Sequence, residues 1–164
     1  MSFLVAVITI SDRAAAGVYQ DRSGPLAQEL LQAAGFTVPK IAVVPDENAA
    51  IKAAIRAAHQ AGARAIITTG GTGIGPRDIT PEVTAELAKK EIPGIMEAIR
   101  LRGTANSPHA ALSRGRAAVL EQTDAPSALI VNAPGSPGGV RDTIEYLTPL
   151  LPHIVGQLDG RDHS

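Results

Sequence analysis

Hydrophobic residues fall along this chain in short, nearly unbroken blocks, separated by stretches with a helical repeat. "FLVAVITI" at residues 3–10 is apolar at almost every position and rich in β-branched side chains, the pattern of a strand covered on both faces. Three further blocks follow: "TVPKIAVV" at 37–44, "ARAIITT" at 63–69 and "SALIVNA" at 127–133. Each predicts a strand. Between them, "SGPLAQELLQAAG" opens on Ser23 as a predicted N-cap, sets Leu26, Leu30 and Leu31 on one face, and stops at Gly35. "ENAAIKAAIRAAHQAG" places Ile51 and Ile55 four apart and ends at Gly62. Thr80-Pro81 reads as a cap followed by a proline in the first turn, with Val83 and Leu87 as the buried stripe. Residues 91–122 are interrupted by Pro93, Pro108 and several glycines, and support only a helix at 94–102 and a short strand at 117–121. Strands alternating with helices imply right-handed crossovers. The expected fold is a single doubly wound α/β domain over residues 1–164, its sheet mostly parallel with helices on both faces, and residues 159–164 are expected to fray.

Composition narrows the function. A chain of 164 residues, 45% hydrophobic and 19% charged, fits one folded, water-soluble domain. With 15 basic against 16 acidic residues it lacks the field that gathers a polyanion, and two phenylalanines and two tyrosines make a poor stacking platform. Nucleic acid is not an expected partner. The absence of cysteine excludes disulfides, zinc–thiolate sites and thiol catalysis, and is compatible with a reducing cytoplasm. The first residues carry no basic leader, and no apolar stretch approaches the ~20 residues needed to span a bilayer. The expectation is a cytoplasmic protein with no membrane partner.

The chemistry collects after the strands. "SDRAAAGVYQDRSG" follows the first block, "PDEN" the second, "GGTGIGPRD" the third and "PGSPGG" the last. In a parallel sheet these loops share one edge, outside the carboxyl ends of the strands, where ligands bind. Gly70, Gly71 and Gly73 lack β-carbons, so backbone N–H groups there can close on a phosphate, and the helix after Thr80 adds its positive end. Pro76 and Arg77 stand where a Walker A loop needs Lys and Ser/Thr, and the dinucleotide spacing G-x-G-x-x-G is absent. Asp46 and Asp78 belong to the same edge and suit Mg²⁺ beside a bound phosphate. Their plainer readings are an N-cap for Asp46 and an ion pair with Arg77 for Asp78. Pro134, Gly135 and Ser136 form either a second anion cradle or a capped turn. His59, His109, His153 and His163 show no metal-ligand spacing and read as surface or structural; Met96 reads as core, and Arg100 and Arg102 as a solvated helix face.

"ISDRAAAGVYQDRSGP", "VVPDE", "TTGGTGIGPRDITPEVT", "SPHAALSR" and "LIVNAPGSPGG", in this order, resemble the MoaB/Mog family of molybdenum cofactor biosynthesis proteins, whose domain also occurs in gephyrin. The likeness covers nearly the whole chain. It implies transfer of AMP from Mg-ATP to the terminal phosphate of molybdopterin, with Asp46 and Asp78 catalytic and holding Mg²⁺. The resemblance further implies that Gly70, Gly71, Thr72, Gly73, Pro134, Gly135 and Ser136 contact nucleotide and phosphate, and that Ser11, Asp12, Asp21, Ser23 and Gly24 bound the pterin. It also implies a homotrimer and a molybdenum-insertion partner protein. "GRAAVLEQTDAPS" departs from it, since a shorter, plainer connection is expected there. Two other readings are a non-catalytic molybdopterin carrier or assembly module of the same family, and a NAD-binding domain, which the missing glycine fingerprint disfavours.

Overall fold

The computed structural model describes residues 2–161. The elements run β1 (Val5–Ile10), α1 (Asp12–Ala15), α2 (Ser23–Ala33), β2 (Ala42–Val44), α3 (Asn48–Gln60), β3 (Ala65–Thr69), α4 (Thr80–Leu87), β4 (Lys90–Glu91), α5 (Pro93–Thr104), a 3-10 turn (Pro108–Leu112), β5 (Ala117–Gln122), β6 (Ala125–Ala133), α6 (Pro137–Leu147) and α7 (Leu151–Leu158). One sheet has the order β2-β1-β3-β6-β5-β4. Its first four strands are parallel, and β5 and β4 add antiparallel pairs at the far edge. Because β1 lies between β2 and β3, the loops leaving β1 and β3 diverge at the topological switch point, which opens a crevice between them.

The unbroken apolar blocks are explained by helices on both faces. Val5, Val7, Ile67, Leu129 and Val131 point to the layer of α2, α5, α6 and α7, while Ala6, Ile8, Ile10, Ile66 and Ile130 point to α3 and α4. Each fully buried Ile or Leu contributes about 1.5–3 kcal/mol relative to exposure. The sheet is also pinned by polar groups. Asn132, wholly buried in β6, donates through Nδ2 to Thr68 Oγ1 at 3.0 Å and Thr84 Oγ1 at 2.9 Å, and accepts from Arg116 N–H at 3.0 Å. One side chain thereby ties β3, α4 and the start of β5 together.

Three local expectations are corrected. The strand expected at 37–44 is confined to Ala42–Val44, with Thr37 making only an isolated bridge to Leu4, because Pro39 has no N–H to give a ladder. Ser23 is not a cap: α2 begins at Ser23 itself, the Gly24 N–H is taken by Asp21 Oδ1 at 3.0 Å, and the Ser23 hydroxyl donates to Gly135 O at 2.8 Å. Thr80 likewise lies inside α4, and its hydroxyl donates to Gly70 O at 3.0 Å, fastening the glycine loop instead of the helix end. The departing segment at 115–127 is an antiparallel β5–β6 hairpin with a two-residue turn, Thr123-Asp124. Of the expected tail, Asp159 accepts from Arg64 Nη2 at 2.6 Å and Arg161 N–H donates to Gly156 O at 3.0 Å; residues 162–164, and with them His163, lie outside the described residues.

Candidate functional site

The four loops meet at the carboxyl edge of the parallel strands, locked by hydroxyls and main-chain bonds. The Thr69 hydroxyl donates to Pro134 O at 2.9 Å and Gly70 N–H to Ala133 O at 3.2 Å, so the loops after β3 and β6 lie side by side. Gly70 has φ of +99°, and a β-carbon there would stand 2.2 Å from Ile10 O. Gly71 has φ of +67°, with Thr80 Oγ1 and Asp46 Oδ1 at 2.3 and 2.9 Å from where its β-carbon would be. Only glycine fits either position. Arg114 staples the same loop from the other side: Nε donates to Gly73 O and Nη2 to Asp78 O, both at 2.8 Å, while Nη1 pairs with Glu82.

The acidic residues are held in defined ways. Asp12 and Asp46 exchange bonds, each N–H donating to the other carboxylate at 3.0 Å. Arg77 grips the Asp12 carboxylate with Nε and Nη2, both at 2.9 Å. Neither plain reading survives: Glu47, not Asp46, precedes α3, and Arg77 pairs with Asp12, not Asp78. Asp78 instead accepts from Gly75 N–H at 2.9 Å, bending the loop onto itself. Burial pushes the Asp46 carboxyl above its ordinary range, opposed by the Asp12 N–H and assisted by the nearby charges of Asp12 and Asp78. Asp12 is held below its ordinary range by the hydrogen bonds from Arg77 and by the Asp46 N–H. In the first loop, Asp21 also accepts from the Thr9 hydroxyl at 2.6 Å.

These loops enclose a cleft with two lobes. The smaller, about 250 Å³, is lined by Ser11, Tyr19, Asp21, Ser23 and Asp46. The larger, about 440 Å³, is lined by Thr72, Gly73, Pro134 and Ser136 on one side and by Met96, Ile99, Arg100, His109 and Leu112 on the other. Gly70, Gly71, Asp78 and Gly135 belong to both lobes and form the partition. A β-carbon on Gly135 would lie 3.3 Å from Gly70 Cα, so the partition is two backbones in contact. Of the sequence-predicted residues, Asp12 and Gly24 do not line either lobe: Asp12 braces Asp46, and Gly24 leaves room for Asp21, whose Oδ2 would be 2.4 Å from a β-carbon there. Ser136 caps α6 by accepting from Gly139 N–H at 3.1 Å and also faces the larger lobe, so the capped turn and the lining role coexist.

The far wall of the larger lobe was not legible from periodicity. It comes from α5 and the 3-10 turn, where Met96 is both core and lining, and where Arg100 bonds to loop carbonyls instead of standing free on a helix face. His109 also lines it. The helix itself was expected at 94–102, and the motif "SPHAALSR" marks the turn that completes the wall.

A crevice at the switch point of a parallel sheet, floored by glycine backbone and edged with carboxylates, defines a ligand-binding domain of the doubly wound α/β class. Residues 6–153 match the family described as "Probable molybdopterin binding domain", and the chain belongs to it. It is 44% identical over 158 residues to the molybdenum cofactor biosynthesis bifunctional protein of Synechococcus elongatus, covering 96% of this chain and 48% of that protein. Over 159 residues it is 35% identical to the molybdopterin adenylyltransferase of Helicobacter pylori strain J99, covering 95% of this chain and 88% of that one. The crystal structure of the molybdopterin biosynthesis enzyme MoaB from Thermus thermophilus matches with a TM-score of 0.86 at 41% identity, covering 99% of both chains. The chain spans about half the length of the bifunctional relatives. Among the described residues no helix is long and apolar enough to cross a membrane.

Proposed function

We propose that this chain transfers AMP from ATP to the terminal phosphate of molybdopterin. A phosphate oxygen attacks the α-phosphorus, the bond from that phosphorus to the bridging oxygen breaks, and pyrophosphate leaves with the electron pair. The observation that carries this reading is the glycine partition, where Asp78 faces both lobes and Asp46 abuts Gly71. Two organic groups, one per lobe, could bring their phosphates together over Gly70, Gly71 and Gly135. We assign the nucleotide to the larger, more apolar lobe and the pterin to the smaller one, bounded by Ser11, Asp21 and Ser23. Membership of the family and the names of the relatives support the choice of substrates.

The donor set fits Mg²⁺. Among the described residues no group of three or more side chains makes a dedicated metal cage. Mg²⁺ does not ask for one, since it keeps several waters and takes one or two carboxylates beside substrate phosphates. Asp46 and Asp78 would hold it, and a cation there would offset the burial that raises the Asp46 carboxyl, along with the smaller repulsion from Asp12 and Asp78. Bound there, Mg²⁺ supplies charge neutralisation for the phosphates. The residues position and do not abstract a proton, because a phosphate monoester is already largely ionised near neutral pH. Incubating the chain with molybdopterin and Mg-ATP should yield adenylylated molybdopterin and pyrophosphate. Asp78→Asn should depress kcat by roughly 100-fold or more while leaving molybdopterin affinity within about threefold. Bound molybdopterin without pyrophosphate release by the unmodified chain would make it a carrier instead.

A further inference from the structure

Among the described residues, Arg100 is the sole lysine or arginine lining either lobe, whereas Asp21, Asp46, Asp78 and Asp142 all face the cleft. Its neighbours are each matched with a carboxylate: Arg102 with Asp142 and Glu145, Arg114 with Glu82, Arg116 with Glu91. Among the described residues Arg100 has no such partner. Its bonds run from a single nitrogen, Nη1, to the carbonyls of Ser113 at 3.3 Å and Gly115 at 3.2 Å. Those contacts fix the plane of the guanidinium and leave the Nε and Nη2 donors unused. Half-buried, it borders the larger lobe and an adjoining depression of about 340 Å³ shared with Met96 and Ser113. A cation drawn partly out of water without a counter-charge is costly, and the free Nε and Nη2 nitrogens, donating in one plane, match the oxygens of a phosphate.

We propose that Arg100 is the anion-binding residue of the larger lobe and receives a phosphate group of the ligand there. The phosphate belongs either to the polyphosphate end of the nucleotide or to the pterin, and both share the chemistry that Arg100 recognises. The proposal rests on the proposed function only in requiring a phosphorylated ligand, and binding alone tests it. Isothermal titration of the full chain with magnesium pyrophosphate, Mg-ATP, molybdopterin and adenosine would be compared for the unmodified protein, Arg100→Gln and Arg100→Lys. Arg100→Gln should weaken a phosphorylated ligand roughly 10- to 100-fold, the range of one or two charge-assisted bonds, and leave adenosine within about twofold. Loss confined to pyrophosphate and ATP assigns the nucleotide, and loss confined to molybdopterin assigns the pterin. Unchanged affinity for all phosphorylated probes, or a loss that adenosine shares equally, overturns the proposal. If Arg100→Gln does not fold, Arg100→Lys decides: selective weakening of phosphorylated probes supports it, and uniform weakening overturns it. An unmodified chain that binds none of the phosphorylated probes defeats the proposed function as well, which separates the two failures.

Discussion

At the scale of single residues, Asp46 trades stability for charge. Its carboxyl is raised by burial, so its ionised form is disfavoured in the folded protein. For a group whose folded value lies above its unfolded one, the contribution to stability is present below the unfolded value of about 3.9 and lost as pH rises through the folded value. In buffer with chelator, Asp46→Asn should therefore melt above the unmodified protein at pH 7, with the difference vanishing near pH 3, while turnover with Mg-ATP collapses. A melting point below that of the unmodified protein at pH 7 would count against this. Asp12 works in the opposite sense: lowered by Arg77, it stabilises above its unfolded value and loses that effect as pH falls through its folded one. Arg77→Met should thus lower the melting temperature at neutral pH and reduce kcat through Asp46, with the gap in melting temperature closing in acid. Asp46 and Asp78 were legible in the sequence because each lies in the loop that leaves an apolar block. The bracing role of Asp12 was not, because its partners Asp46 and Arg77 are 34 and 65 positions away and only the closed fold brings them together.

At the scale of elements, the crossing of β1 and the loop after β3 leaves no room for a methyl group at Gly70, where φ is +99° and Ile10 O is the neighbour. Gly70→Ala combines backbone strain with a clash against main chain, and should cost about 3 kcal/mol or more by urea unfolding. Asn132→Leu tests the polar pin between β3, α4 and β5. It strands the Arg116 N–H and removes the partner of Thr68 and Thr84, an expected loss of roughly 2–4 kcal/mol by the same measurement. Strands β1, β3 and β6 and the helices α2, α3 and α4 were readable because burial on both faces writes itself as continuous apolar blocks and a helical stripe. The helix expected at 94–102 is α5, but that it walls the cleft was not readable, since its partner is a single 3-10 turn too short to carry any periodicity. Around Pro39 the pattern misled in the other direction, its flanking valines and isoleucine suggesting a strand over 37–44 where the ladder holds only Ala42–Val44.

At the scale of the whole molecule, the expected homotrimer would sediment near three times 16.9 kDa, and analytical ultracentrifugation measures this directly. Where such copies would touch is constrained by the two rims of the sheet. On one rim β2 offers three residues between Pro39 and Pro45; on the other β4 offers two, Lys90 and Glu91, engaged with Glu121 and Arg116. A visiting strand would find too few main-chain donors and acceptors, bounded by prolines or salted with charge. Growth of the sheet from one molecule into the next is thereby discouraged, which leaves helices and loops for any association. The ligand mouth, built from loops, then lies on the kind of surface that any association would use.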